Sequence, residues 1–215
     1  MATLGDYLTT TRDLLNDPDA QYWSTARLTR FINRALIKRD RDTGQNRQTA
    51  TLTSTVGVDT YTFATLQALL ASTTFIIYDV IAVNLIYGTL RVVLGSYSFT
   101  MLNVLIRQYQ PLLRNAPVAW AKYGANKVVI APAPATAHQI EFDCALTVPN
   151  DYLVASTDAD PLPLPYTDPP PYYAAHLAKL NERKYEEAQS FLDDYQREIL
   201  TCSSTLVGTV PSLYR

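Results

Sequence analysis

The chain has 215 residues, 47% of them hydrophobic and 18% charged, with a formal net charge of −2. That length can bury a sizeable core in one or two domains, and the lack of a global basic excess excludes a general nucleic-acid binder. Cys144 and Cys202 lie far apart and form no CxxC, which excludes a disulfide framework; free thiols fit a cytoplasmic assembly compartment. Fifteen tyrosines suit a surface given over to contacts, since Tyr is enriched at interfaces, or simply a Tyr-rich monomer.

The opening Met-Ala-Thr-Leu-Gly-Asp has no basic segment followed by an apolar one, so no export signal is expected. Thr3 can cap a first helix that puts Leu4, Leu8, Thr11 and Leu15 on one face, and Asp17-Pro18 ends it. A second helix starts near Ser24. Its Leu28, Phe31, Ile32, Ala35 and Leu36 follow the spacing of a core-facing stripe. The polar run Asp40-Arg41-Asp42-Thr43-Gly44 is expected as a turn. Together the two helices read as a helical hairpin.

The middle is β-rich. Thr49 to Val56 alternates as a half-buried strand does, with Tyr61 to Phe63 as its expected partner across Gly57-Val58-Asp59. Residues 64–72 suit a short helical piece. Phe75 to Tyr87 and Thr89 to Leu94 form an expected hairpin about Gly88. The apolar stretch from Thr73 to Leu94 includes Asp79, Asn84, Gly88 and Arg91, so it reads as buried strands and no membrane span is expected. Ser98 to Gln110 has helical spacing, and three strands follow at Ala119 to Tyr123, Lys127 to Ile130 and Gln139 to Leu146.

Residues 147–171 are rich in Pro, Asp and Ser and are expected to be extended and stiff. One long helix is expected from Pro170 to Leu200, with Asp168 as its cap and Pro169 at its first position. Tyr173, Leu177, Leu180, Ala188, Phe191 and Tyr195 would line its apolar face. The last segment contains Thr205, Leu206, Val207, Val210, Pro211, Leu213, Tyr214 and Arg215, and is apolar, β-branched and nearly uncharged. Free tails are usually polar, so this one suits docking on another subunit, by strand addition, or folding back on its own domain.

Chemistry is scarce. His138 and Glu141 are three apart on an expected strand and point to opposite faces, a poor metal spacing. No GxxxxGK[ST], GxGxxG or GxSxG occurs. No cofactor, metal or catalytic residue is expected. One electrostatic cluster stands out: Arg27, Arg30, Arg34, Lys38, Arg39 and Arg41. It could meet acidic residues of a neighbouring subunit, remain a solvated face, or track DNA phosphates. Residues 151–215 hold ten acids against five bases, so the two ends of the chain differ in charge.

The order of these pieces resembles the head-to-tail adaptor proteins of tailed phages. The likeness is carried by Leu14-Leu15-Asn16-Asp17, Tyr22-Trp23-Ser24, Phe31-Ile32-Asn33-Arg34-Ala35, Tyr61-Thr62-Phe63, Tyr78 to Val83 and Pro117-Val118-Ala119-Trp120. Its most telling phrase is Val128-Val129-Ile130-Ala131-Pro132-Ala133-Pro134, followed by Ile140-Glu141-Phe142. Asn115-Ala116 stands where a glycine is expected before Pro117. The resemblance implies an α+β fold: an α-helical bundle of the two N-terminal helices and the long C-terminal one (residues 1–47 and 165–200), with a β-rich insertion (48–150), a Pro-rich linker (151–164) and a docking tail (201–215). It implies a non-enzymatic homo-oligomeric ring of twelve copies in the virion neck, between the portal protein and a tail or nozzle protein, through which DNA passes. Another neck or tail ring protein, such as a tail terminator, and a stand-alone binding module are the competing readings.

Overall fold

The computed structural model describes residues 1–72, 74–109 and 116–204. The chain is mixed α+β and divides into two compact units: residues 1–46 together with those from 147 onward, and residues 47–146.

The first unit is helical. Helix α1 spans Leu4–Leu15 and begins with a reciprocal cap. The Asp6 N–H donates to the Thr3 hydroxyl at 3.3 Å, while the Thr3 N–H donates to the Asp6 carboxylate at 2.8 Å. The Asp6 carboxyl is held below its ordinary range, first by the Thr3 backbone N–H. The helix ends at Asn16 in the left-handed conformation. Buried Asp17 then accepts the N–H groups of Gln21 at 2.7 Å and Trp23 at 2.9 Å, which fixes the turn toward the next helix.

Helix α2 spans Thr25–Thr43, and its expected stripe of Leu28, Phe31, Ile32, Ala35 and Leu36 is buried. The polar run from Asp40 to Thr43 is helical rather than a turn, a correction to the sequence reading. Asp40 is buried and its carboxylate accepts the Val148 N–H at 3.1 Å. The helix therefore continues until Gly44, whose φ of 59° supplies the left-handed stop.

The expected single C-terminal helix is two helices, α5 at Pro169–Asn181 and α6 at Tyr185–Ser204. The break falls at Arg183, which has a φ of 62°. The expected apolar line is broken with it. Leu180 is exposed, and the α5 core face is Ala174, Ala175 and Ala178, small residues that let neighbouring helices approach closely. Helix α5 packs against α6, α2 and α1. His176 Nδ1 lies 2.7 Å from the Ala188 carbonyl oxygen, tying α5 to α6.

Residues 147–168 fold back on the helices instead of running extended. The Leu4 and Gly5 N–H groups donate to the carbonyls of Asp158 and Ser156, each at 2.9 Å. Asn33 donates to the Leu153 carbonyl at 2.9 Å and accepts its N–H at 3.0 Å. A side chain that satisfies both backbone groups of one residue is a strong tether, because each would otherwise be buried unpaired.

The second unit holds β1 (Arg47–Thr53), β2 (Thr60–Thr62), α3 (Phe63–Gln67), β3 (Ile76–Tyr87), β4 (Leu90–Val93), β5 (Gly95–Tyr97), α4 (Phe99–Tyr109), β6 (Ala119–Tyr123), β7 (Lys127–Ala131) and β8 (Gln139–Thr147). Two four-stranded sheets form, ordered β1-β8-β3-β4 and β2-β7-β6-β5. The β3–β4 hairpin about Gly88 is as expected. Strand β2 pairs with β7, not with β1 as the sequence suggested. Strand β5 was not foreseen and runs parallel to β6.

Alternation explains the layering. Ile140, Phe142, Cys144 and Leu146 of β8 share a core with Val80 and Val83 of β3, Trp120 of β6, and Val128 and Ile130 of β7. The intervening residues Ala119, Ala121, Val129 and Ala131 point the other way and meet Leu102 of α4.

Candidate functional site

The basic cluster divides into two environments. Arg27, Arg30, Arg34 and Arg41 are exposed on α2. Arg27 lies over the Trp23 ring, 5.0 Å from its centroid, a cation–π arrangement. Arg30 Nε donates to the Ala26 carbonyl at 3.4 Å. With Phe31 and Asn181 these residues and Arg34 line a shallow pocket of about 210 Å³. Lys38 is paired one turn along, 2.7 Å from Asp42.

Arg39 does not belong to that surface: its side chain is fully buried. It binds Asp160 through both terminal nitrogens and Asp40 at 2.9 Å, and donates to the Tyr166 carbonyl at 3.2 Å. Tyr7 donates its hydroxyl to the same Asp160 carboxylate, which also accepts the Leu162 N–H at 3.0 Å. Burial, and then the negative charge of Asp160, push the Tyr7 hydroxyl far above its ordinary pKa. Burial raises the Asp40 carboxyl against the pull of Arg39. The guanidinium is thus a structural knot joining α1, α2 and the 147–168 stretch. No part of Arg39 is free to meet another chain. Sequence reasoning missed Asp160, Tyr7 and Tyr166 as its companions, because nothing local marks a charge as buried.

The docking segment Thr205, Leu206, Val207, Val210, Pro211, Leu213, Tyr214 and Arg215 lies outside the described residues. Among the described residues no group of three or more His, Cys, Asp or Glu could hold a metal. Cys144 is buried and its thiol is pushed up to about 12, chiefly by that burial, which suppresses the reactive thiolate. No described helix is long and apolar enough to cross a membrane.

The second unit contributes a surface of a different kind. Leu90, Val92 and Val93 of β4 are exposed, as is Tyr87 beside the turn. Strand β4 lies at the edge of its sheet, and its one charged residue, Arg91, is paired with Glu141 at 3.0 Å. Sheet edges are usually blunted by charge, Pro or a covering element; here Arg91 supplies the charge while Leu90, Val92 and Val93 leave apolar side chains exposed.

The family model of the SU10 adaptor protein matches residues 2–205. The chain belongs to the SU10 adaptor family. That membership makes it a phage adaptor protein and implies a place in the virion neck, with portal and tail proteins as partners in general. The match spans both units of this adaptor. The comparison with curated proteins found no match.

Proposed function

We propose that this adaptor is a non-enzymatic ring-forming subunit, twelve copies of which join the portal to the tail or nozzle and leave a channel for DNA. The helices α1, α2, α5 and α6 would be the bundle that builds the ring, with the β-rich unit as an insertion carried on it. The single observation that carries this reading is the family match over residues 2–205. Physical features support it. A ring closes when one heterologous contact repeats with a fixed rotation, which requires two different sticky faces on each copy. The exposed arginines of α2 and the outward apolar side chains of β4 are candidates for such faces. A net charge of −2 suits a DNA conduit, since a strongly basic wall would retain the genome.

The segment Thr205–Arg215 would dock on the portal, its apolar and β-branched residues adding to a surface that the bundle cannot offer alone. Many copies acting together would raise the avidity of a weak single contact. Electron microscopy of the purified protein mixed with its portal tests the whole reading: rings stacked on portals are expected. A chain that stays monomeric and never binds the portal refutes it. Deleting residues 205–215 tests the tail by itself, and unchanged portal binding would remove that assignment.

A further inference from the structure

The exposed arginines of α2 have a counterpart on the same unit. Arg27 and Arg34 are seven residues apart, two helical turns, and Arg30 lies between them on the same side. No salt bridge among the described residues engages Arg27, Arg30 or Arg34. On α6, Glu186 and Asp193 are also seven residues apart and exposed. No salt bridge among the described residues engages either acid; Asp193 accepts only a hydrogen bond from Gln189, at 2.8 Å. Two turns correspond to about 10 Å along either axis, so the two charge pairs have the same spacing.

We infer that the Arg27–Arg30–Arg34 face of α2 seats the Glu186–Asp193 face of α6 from a second copy of this chain. The inference rests on the ring reading and names the contact that closes the ring. Charge also favours one direction. Parallel helices that align Arg27 with Glu186 and Arg34 with Asp193 would bring Lys38 against Arg197, two cations each of which already has its own acid, Asp42 and Asp194, and neither of which gains a partner there. Antiparallel helices align Arg34 with Glu186 and Arg27 with Asp193 and keep those two cations apart. The contact inferred is the antiparallel one. Because α2 and α6 are different faces, the contact is heterologous and repeats from copy to copy rather than ending at a dimer. Exposed pairs add little each, so the gain is in orientation, in encounter rate and in the number of repeats.

Charge exchange tests this. Arg30→Glu with Arg34→Glu gives one variant, and Glu186→Arg with Asp193→Arg gives the other. Each alone should disperse the oligomer seen by light scattering, with about a tenfold or greater loss of apparent affinity and unchanged circular dichroism. Mixing the two variants, or combining all four changes in one chain, should restore the wild-type mass. Folded reversals that leave the oligomer intact would overturn the inference, as would mixtures that stay dispersed. Reversed arginines that spare the oligomer but abolish retention on DNA would reassign the face to nucleic acid.

A covalent trap separates this inference from the ring itself. On oxidation, Arg34→Cys chains mixed with Glu186→Cys chains should yield a linked species of twice the chain mass. Arg34→Cys mixed with Ser190→Cys serves as the control for position, and Arg34→Cys mixed with Asp13→Cys as the control for face. Wild-type protein that never oligomerises, beside a trap that succeeds, would refute the ring and keep the pairing. Trapping equal to that of the Asp13→Cys control would refute the pairing whatever the ring does.

Discussion

The two units are built on opposite economies of polarity. The helical unit takes charge into its interior: Arg39, Asp40 and Asp160 are fully buried, and Lys179 is nearly so, 2.7 Å from Glu187. The β-rich unit keeps its inter-sheet core apolar, with Phe142, Trp120 and Ile140 at its centre, and turns apolar side chains outward on β4. The difference follows from what each must fix. Helices satisfy their own backbone, so the helical unit uses side chains such as Arg39 and Asn33 to pin an irregular stretch that has no ladder. Sheets satisfy their backbone through neighbours, so their side chains are free to pack, but their edges stay open.

The contrast is broken most directly at the two centres. Asp160→Ala leaves the buried Arg39 guanidinium without its main partner and the Tyr7 hydroxyl without its acceptor, and should cost about 3–5 kcal/mol. Phe142→Ala should cost about as much by a different route, the cavity it leaves. Urea unfolding followed separately by Trp23 and Trp120 fluorescence distinguishes the two. The first change should move the Trp23 signal, and the second the Trp120 signal. If both substitutions shift both signals equally, the two units do not differ as described.

An acid titration sharpens the comparison further. Burial opposes ionisation of Asp17, but the N–H donors of Trp23, Tyr22 and Gln21 outweigh it and hold the carboxyl below its ordinary 3.8. A depressed carboxyl contributes stability that is complete above its unfolded pKa and is lost as pH falls through the folded one. The helical unit should therefore loosen below about pH 4. Asp17→Ala should lower the melting temperature at pH 7 and flatten that acid limb; an unchanged limb would show that Asp17 contributes nothing to it.

Smaller effects are expected at the surface. Arg183→Gly removes the strain of a left-handed side-chain-bearing residue at the α5–α6 break and should gain at most about 1 kcal/mol, visible as a raised thermal midpoint. A drop would mean that the Arg183 side chain holds the break. Val93→Lys on the exposed β4 edge should change folding stability by less than about 0.5 kcal/mol. A large loss there would show that β4 belongs to the core.

Much of this was legible in the sequence where signals are local. Helices α1 and α2 announce themselves by spacing, and the β3–β4 hairpin by the glycine between two β-branched runs. The α5–α6 break was not legible, because Glu182-Arg183-Lys184 is an ordinary polar face of a helix and contains neither Gly nor Pro. Strands β2 and β5 depend on partners far along the chain, and a three-residue strand carries too little pattern to reveal one. The prolines of 147–171 suggested stiffness, but Asp158 and Ser156 carbonyls facing the start of α1 decided the outcome. Of the basic cluster, five members could be told from Arg39 only by seeing where Asp160 arrives.

The first and last strands of the β-rich unit are paired neighbours, with Arg47 opposite Ala145. A module whose entrance and exit share a doorway can be lengthened, trimmed or exchanged while the surrounding chain keeps the same two attachment points.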